Sequence, residues 1–328
     1  MVSNTKEVAS ELLPVLKVYK DGTVDRLLGS PFVPPSSPTT TTTTTTTTII
    51  SKDTTISSAV SARLYLPPTT TTTTRLPILV YFHGGGFCIE SAFSSFCHRY
   101  ITSLVSHSPI LAVSIEYRLA PENPLPIAYE DSWSALQWVA SHSIKPKSKP
   151  KPNSDPWLSN YGDFSRIYIG GDSAGANIAH NILMRAGVEP LHGGVEILGA
   201  FLSHPYFWGS DPIGSESKAD REMGLLHRTW MFAYPGAPGG VDNPMINPFA
   251  SNAPSLKELK CARILVVVAE MDELRERGVR YGEEVRESGW GGDLEVVEVE
   301  AEDHCFHILN PETKNAKNLI KVLASFLK

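Results

Sequence analysis

A serine at the turn between a strand and a helix is the first residue of this chain that could do chemistry. The apolar run 167–169 leads into Gly-Asp-Ser-Ala-Gly at 171–175, and a helical pattern of apolar residues begins at Ile178. In a G-x-S-x-G turn the flanking glycines leave room for strand and helix, so the hydroxyl of Ser173 stands clear at the helix N-terminus. Because an ordinary strand-to-helix turn can carry the same residues, the rest of the chain must supply further support.

Two more side chains, Asp272 and His304, could turn that hydroxyl into a nucleophile. A serine needs a base within hydrogen-bond reach and a carboxylate that orients the base. Asp272 follows the predicted strand 264–269, and His304 follows the predicted strand 294–299. The chain order Ser, Asp, His is typical of a strand–turn–helix nucleophile. The sequence therefore predicts a catalytic triad of Ser173, Asp272 and His304.

Other residues compete for the roles of carboxylate and base. Asp272 could instead cap the helix that follows it, and Glu270 and Glu273 are rival carboxylates. The rival imidazoles are His83, His98, His204 and His307. We favour Asp272 because it stands where its strand has ended. We favour His304 because it lies on the loop after the last predicted strand, one helical turn before His307.

A glycine triplet after a second apolar strand could bind negative charge. Residues 78–82 are apolar and lead into His83, Gly84, Gly85 and Gly86. Attack on a carbonyl places negative charge on its oxygen, and preorganised N–H donors there contribute about 3–4 kcal/mol each. Glycine lets the backbone approach closely, and the N–H of Ala174 is a natural further donor. We expect His83 to hold this loop by hydrogen bonds rather than to act as the base.

These residues follow strands that alternate with helical patterns. The strands are predicted at 62–66, 78–82, 110–115, 167–169, 195–202, 264–269 and 294–299. Helices are predicted at 100–106, 129–141, 178–183, 229–233, 276–288 and 311–327. This alternation predicts an α/β fold with a mostly parallel sheet and helices on both faces. A hairpin is predicted around Asp21 and Gly22, and the threonine tracts 39–48 and 69–74 and the linker 145–152 are predicted to be loops.

Composition excludes several classes of function. The 328 residues carry 29 basic and 35 acidic side chains, a net charge of −6, and no basic stripe. A nucleic-acid or anionic-membrane surface is therefore not expected. We find no apolar run of about 18 residues and no secretory signal, and the four cysteines have no metal-type spacing. We expect a cytoplasmic protein without a membrane span.

With these motifs in place, the chain resembles the plant carboxylesterases of the hormone-sensitive-lipase-like branch of the α/β-hydrolase family. The resemblance is carried by segments 18–22, 80–87, 116–122, 171–177, 204–209 and 304–307. It implies one α/β-hydrolase domain over 1–328, with a mostly parallel eight-stranded sheet and a helical cap from about 1–30 and 205–250. It also implies the triad Ser173, Asp272 and His304, and an oxyanion hole from the N–H groups of Gly85, Gly86 and Ala174.

The sequence-based hypothesis is a serine esterase that acts on a small-molecule ester as a monomer or dimer, without a metal or organic cofactor. The candidate pocket walls are aromatic, and they are Phe87, Phe207, Trp208, Trp230 and Phe232. Two alternatives share the fold. Gibberellin receptors resemble this family but lack the catalytic histidine, whereas His304 is present here. A dehydratase of isoflavonoid synthesis also resembles it, with threonine in place of the nucleophile, whereas Ser173 is a serine.

Overall fold

The structure is a computed structural model that describes residues 6–36, 49–68, 75–144, 154–217, 219 and 221–328. The predicted loops at 39–48, 69–74 and 145–152 lie outside these residues. Eleven strands occur in the described part of the chain. They are β1 (Val8–Leu12), β2 (Leu16–Tyr19), β3 (Val24–Arg26), β4 (Ile50–Thr55), β5 (Ser61–Leu66), β6 (Leu76–Phe82), β7 (Leu111–Glu116), β8 (Gly162–Asp172), β9 (Ile197–Ser203), β10 (Arg263–Ala269) and β11 (Asp293–Val299).

Eight of these strands form one sheet. Their order across the sheet is β11-β10-β9-β8-β6-β7-β5-β4. All neighbours from β11 to β7 run parallel, while β5 and β4 are added in antiparallel pairs at one edge. The predicted eight-stranded, mostly parallel sheet is confirmed. The strand β4 was not predicted, because its polar, half-exposed sequence Ile-Ser-Lys-Asp-Thr-Thr lacks an apolar run.

Helices cover both faces of this sheet, as the alternating pattern predicts. The described helices are α1 (Ser95–His107), α2 (Ile127–Ser141), α3 (Pro156–Tyr161), α4 (Ala174–Val188), α5 (Leu225–Ala233), α6 (Arg275–Glu287), α7 (Phe306–Leu309) and α8 (Lys314–Phe326). The helices α2, α4 and α6 share one hydrophobic core with the sheet, and α1 and α8 share the other. Strand β6 supplies both cores, since Ile78 and Val80 face one and Leu79 and Tyr81 face the other.

The first described residues form a small sheet of β1, β2 and β3 beside the main one. The predicted hairpin is confirmed, with β2 antiparallel to β3 and Gly22 at φ +83° in the turn. Arg26 joins this sheet to the main domain by a bidentate pair with Glu122 at 2.9 and 2.8 Å. The N-terminal part of the expected cap therefore consists of strands, whereas the segment around 205–250 contributes the helix α5.

The carboxyl ends of the parallel strands meet at one edge of the sheet. His83 directly follows β6, Ser173 follows β8 and His204 follows β9. Asp272 and His304 come a few residues after β10 and β11. This arrangement gathers the candidate side chains because parallel strands all end on the same side of the sheet. None of the helices in the described ranges has the length and apolar character that a bilayer crossing requires.

Candidate active site

Ser173 occupies a strained turn that exposes its hydroxyl at the start of α4. Its φ of 53° and ψ of −116° lie outside the regions that L-residues prefer, which costs about 1–3 kcal/mol. Backbone hydrogen bonds hold it there, because its N–H donates to Ser203 and its carbonyl accepts from Tyr206, at 2.9 and 3.1 Å. Gly175 permits the close packing of α4, since a Cβ there would lie 1.9 Å from the carbonyl oxygen of Phe82.

A continuous hydrogen-bond chain joins the serine, the histidine and the aspartate. The Oγ of Ser173 lies 2.9 Å from Nε2 of His304, and Nδ1 of His304 lies 2.7 Å from Oδ2 of Asp272. A carboxylate only accepts hydrogen bonds, so the proton of the neutral ring is assigned to Nδ1. Nε2 is then free to accept the serine proton. The structure thus brings together the three residues that the sequence singled out.

The rival carboxylates occupy other positions. Asp272 also accepts the N–H of Leu274 on Oδ1 at 2.9 Å, so it closes the turn before α6 while its other oxygen faces the histidine. The capping alternative and the triad are therefore compatible. Glu270 is exposed and accepts the N–H of Ala301 at 2.8 Å. Glu273 is exposed and has no hydrogen bond or ion pair within the described ranges.

The rival histidines contact residues other than Ser173. His83 is buried and stacks on Tyr117 with ring centroids 4.3 Å apart, and its Nδ1 lies 2.8 Å from the carbonyl oxygen of Gly84. This contact joins His83 to the glycine loop. His98 lies beside Tyr65, 3.2 Å from its hydroxyl. His307 is buried and stacks on His204, which contacts the triad aspartate.

Electrostatics at the site favour an ionised aspartate and a basic histidine. Burial would raise the pKa of Asp272, but hydrogen bonds from His204 and His304 outweigh it and hold that pKa well below its usual range. Desolvation acts to lower the pKa of His304, yet the hydrogen bond and charge of Asp272 prevail and raise it above its ordinary value. The site thus pairs a carboxylate that stays charged with an imidazole that is a stronger base than usual.

The glycine loop presents free amides beside the serine. Gly85 and Gly86 have φ values of +102° and +59°, and a Cβ on Gly85 would lie 2.3 Å from the carbonyl oxygen of Ile89. Any other residue at Gly85 would therefore distort the loop. The N–H groups of Gly85, Gly86 and Ala174 donate no hydrogen bond to any residue that the structure describes. One of these unpaired donors directly follows the candidate nucleophile, and the other two follow Gly84, whose N–H contacts Asp172.

Asp172 was not assigned a role from the sequence, and the structure places it under the glycine loop. Its buried carboxylate accepts the hydroxyl of Tyr81 and the N–H of Gly84, the latter at 3.2 Å. The thiol of Cys305, next to the triad histidine, lies 3.7 Å from its other oxygen. Burial raises the pKa of Asp172 although these hydrogen bonds oppose the shift. The only sequence signal was its position inside the serine motif.

The aromatic residues proposed as pocket walls divide between core and cavity. Phe87 and Trp230 have no exposed surface and pack edge to face, with ring centroids 6.2 Å apart. Phe207 is equally buried and packs on Tyr281 at 4.9 Å. These three side chains therefore face the core rather than an open cavity. Phe232 is half-buried against the same core.

Trp208 lines a cavity of about 450 Å³ that reaches Asp272. The guanidinium groups of Arg221 and Arg277 lie 4.4 and 5.1 Å from its ring centroid. Both arginines pair with Glu216, which also lines this cavity, and the side chains of Arg277 and Glu216 are almost fully buried. The region 205–250 thus forms one wall of a cleft next to the triad.

One group of described residues has donor atoms close enough to hold a metal ion. The atoms belong to His204, Asp272 and His304 and lie within 4.8 Å of one another. The separations of 2.7 and 3.2 Å from the carboxylate oxygen to the two Nδ1 atoms are those of N–H···O hydrogen bonds. A metal would require both Nδ1 atoms to lose their protons. Hydrogen bonding therefore describes this group better than coordination.

Comparisons with known proteins identify the family of this chain. Residues 79–308 match the family described as the alpha/beta hydrolase fold. The chain is 54% identical to 2-hydroxyisoflavanone dehydratase of Glycyrrhiza echinata, over 99% of this chain and 98% of that protein. It is 39% identical to probable carboxylesterase 13 of Arabidopsis thaliana, over 98% of each. An esterase structure from Pyrobaculum calidifontis gives a TM-score of 0.66 at 26% identity, covering 82% of this chain and 80% of that one.

The matched family spans the strands and loops that carry Ser173, Asp272 and His304. The relatives cover nearly the whole chain, including the N-terminal strands and the segment around 205–250. The chain therefore belongs to the α/β-hydrolase fold family, among the plant proteins related to carboxylesterases of the hormone-sensitive-lipase-like branch.

Proposed function

We propose that this protein is a serine carboxylesterase that cleaves small carboxylic esters through an acyl-enzyme. The hydrogen-bond chain from Ser173 through His304 to Asp272, at 2.9 and 2.7 Å, carries the proposal. Relatives named as carboxylesterases and structural neighbours named as esterases support it. The substrate expected from this chemistry is an ester with a small acyl group.

The proposed reaction assigns each of these groups a step. The Oγ of Ser173 attacks the ester carbonyl while Nε2 of His304 takes its proton. Asp272 keeps the ring oriented and stabilises the imidazolium. In this proposal the free amides of Gly85, Gly86 and Ala174 receive the charge on the carbonyl oxygen. His304 then returns the proton to the departing alcohol, and water cleaves the acyl-enzyme with the same base.

The test of this proposal is the variant Ser173→Ala assayed with a p-nitrophenyl ester of a short acid. We expect turnover to fall to the background rate while the circular dichroism spectrum stays unchanged. Ser106→Ala, an exposed serine on α1, serves as the matched control and should retain full activity. An organophosphate should label Ser173 in the natural protein, as mapped by mass spectrometry. Undiminished turnover by Ser173→Ala, or saturable ligand binding without any turnover, would contradict the proposal.

Dehydration of a hydroxylated ketone is a second candidate, and the 54% identity to 2-hydroxyisoflavanone dehydratase favours it. Loss of water from a β-hydroxy ketone needs a base for the carbon-bound proton and donors for the developing enolate oxygen, and the departing hydroxide must take up a proton to leave as water. His304 could take the carbon-bound proton and return it to the hydroxide, while the free amides of the glycine loop could bind the enolate oxygen. Such a reaction needs no serine nucleophile, because the substrate forms no acyl intermediate.

The same variants separate the two reactions. Hydrolysis requires both Ser173 and His304, whereas dehydration requires only the base. Ser173→Ala should therefore abolish ester turnover but retain dehydration of a 2-hydroxyisoflavanone, while His304→Ala should abolish both. Dehydration measured in the natural protein without ester turnover would replace the esterase proposal with the second candidate.

A further inference from the structure

His204 is held rigidly against the triad from the next strand of the sheet. It directly follows β9, and its side chain is completely buried. Its φ of +50° is unusual for a residue with a Cβ, and its N–H donates to the carbonyl of Val267 at 2.7 Å. The neighbouring Ser203 and Tyr206 hydrogen-bond the backbone of Ser173. The ring therefore has a defined position relative to the nucleophile.

The imidazole of His204 contacts the same oxygen that the triad histidine uses. Its Nδ1 lies 3.2 Å from Oδ2 of Asp272, while Nδ1 of His304 lies 2.7 Å from that atom. The two rings meet edge to face with centroids 5.6 Å apart. On its other side His204 stacks on His307, with centroids 5.3 Å apart and planes inclined by 16°. Asp272 is thus shared between two imidazoles.

The protonation state of His204 follows from its partners. Asp272 can only accept, so a hydrogen bond requires the proton of His204 to be on Nδ1. Its Nε2 is buried without a hydrogen-bond partner in the described part of the chain, which suits a lone pair better than an N–H. Burial lowers the pKa of His204 below its ordinary value although the hydrogen bond to Asp272 acts against this. The ring is therefore a neutral donor.

We propose that His204 is a positioning residue, whose N–H holds the carboxylate of Asp272 in the orientation that His304 needs and takes up part of its charge. This inference rests on the proposed triad function. Together with the N–H of Leu274 on Oδ1, the two imidazoles on Oδ2 engage both oxygens of Asp272. Because two donors share Oδ2, the carboxylate forms a weaker hydrogen bond with the N–H of His304 than it would with one donor. It therefore stabilises the protonated form of His304 less.

The experiment compares His204→Asn with His204→Leu. The side-chain nitrogen of asparagine stands where Nδ1 stands in histidine, and asparagine tolerates positive φ, so Asn retains the donor but leaves a small void. Leucine fills more of the space but cannot donate. His180→Leu is the control, because His180 is also buried and contacts Tyr281 at 3.0 Å rather than the triad.

We expect His204→Leu to lower kcat about 10- to 100-fold with little change in KM, and His204→Asn to stay within about threefold of the natural protein. The acid limb of the kcat/KM profile should move to higher pH in His204→Leu alone. The carboxylate of Asp272 then has one donor fewer, so it stabilises the protonated form of His304 more strongly and raises the pKa of that ring. The titratable groups that face His304 are Asp172, His204, Asp272, Glu273, Asp303 and His307, and only His204 is changed.

A purely space-filling role predicts the opposite ranking. The activity of each variant would then follow its stability, with a cost to His204→Asn from its void and to His204→Leu from leucine at a positive φ, and the titration of His304 would not shift. Activity losses that follow the urea midpoints in this way, or an equal effect in His180→Leu, would overturn the inference. Nitrogen-15 NMR titration of His304 in each variant measures the pKa of that ring directly. It therefore reports the effect of residue 204 on His304 without any ester turnover. A natural protein that neither hydrolyses esters nor reacts with an organophosphate refutes the proposed function, whereas an unshifted His304 titration in His204→Leu refutes this inference.

Discussion

Replacing Asp272 by asparagine should invert the hydrogen bonds of the triad while nearly preserving its shape. Oδ1 accepts the N–H of Leu274 at 2.9 Å, so the amide oxygen of Asn should take that position. The reverse orientation would leave the buried N–H of Leu274 facing an NH2 group, at a cost of about 1–3 kcal/mol. The new NH2 group then faces Nδ1 of His304 and Nδ1 of His204. Both rings must move their protons to Nε2 to accept from it, which for His204 puts an N–H where the described residues offer no partner.

The size of the effect follows from this tautomer change. With its proton on Nε2, His304 donates to the Oγ of Ser173, 2.9 Å away, and can no longer take the serine proton. Wrong-tautomer substitutions in Ser-His-Asp triads lower kcat about 10⁴-fold, which corresponds to about 5 kcal/mol of transition-state stabilisation. Folding should change much less, because the side-chain volume stays nearly the same. We therefore expect a folded protein with about 10⁴-fold lower kcat.

The assay is steady-state hydrolysis of a p-nitrophenyl short-chain ester, combined with organophosphate titration of Ser173. Glu287→Gln is the matched control, since that carboxylate is exposed at the end of α6 and does not line the cavity that reaches Asp272. The control should stay within about threefold of the natural activity. If Asp272→Asn retained more than a tenth of the natural kcat, or if both variants lost activity equally, the tautomer argument would be wrong.

Three further predictions test the surroundings of the site. Gly175→Ala should lower the free energy of unfolding by about 1–3 kcal/mol or more, since its Cβ would lie 1.9 Å from the carbonyl oxygen of Phe82; an unchanged urea midpoint would contradict this. Arg277→Met should destabilise the protein by about 1–3 kcal/mol in urea denaturation, because it removes the bidentate hydrogen bonds to buried Glu216 while Arg221 remains a partner of that carboxylate. On acidification kcat/KM should fall with a midpoint above about pH 6.5, because the raised pKa of His304 extends its protonated form to higher pH. A midpoint below that value would argue against the contact with Asp272.

The positions of Ser173, Asp272 and His304 could be predicted because each follows a strand in a pattern of alternating strands and helices. The carboxyl ends of parallel strands lie at one sheet edge, so chain order and strand ends together bring these distant residues near each other. The edge strand β4 escaped prediction because half-exposed polar residues carry no apolar pattern. The N-terminal part of the expected helical cap is a three-stranded sheet instead of helices, because this segment pairs with itself.

The sequence by itself determined the serine turn, the glycine loop and most of the order of strands and helices. These features depend on local patterns and on positions that only glycine can occupy. Tertiary structure alone decided which side chains share a partner. His204 and His304 were both visible as histidines after strands, but only packing puts both Nδ1 atoms on one oxygen of Asp272. It likewise decided that Phe87 and Phe207 lie wholly in the core while Trp208, itself buried, also lines a cleft, because an aromatic residue satisfies the same pattern in either place.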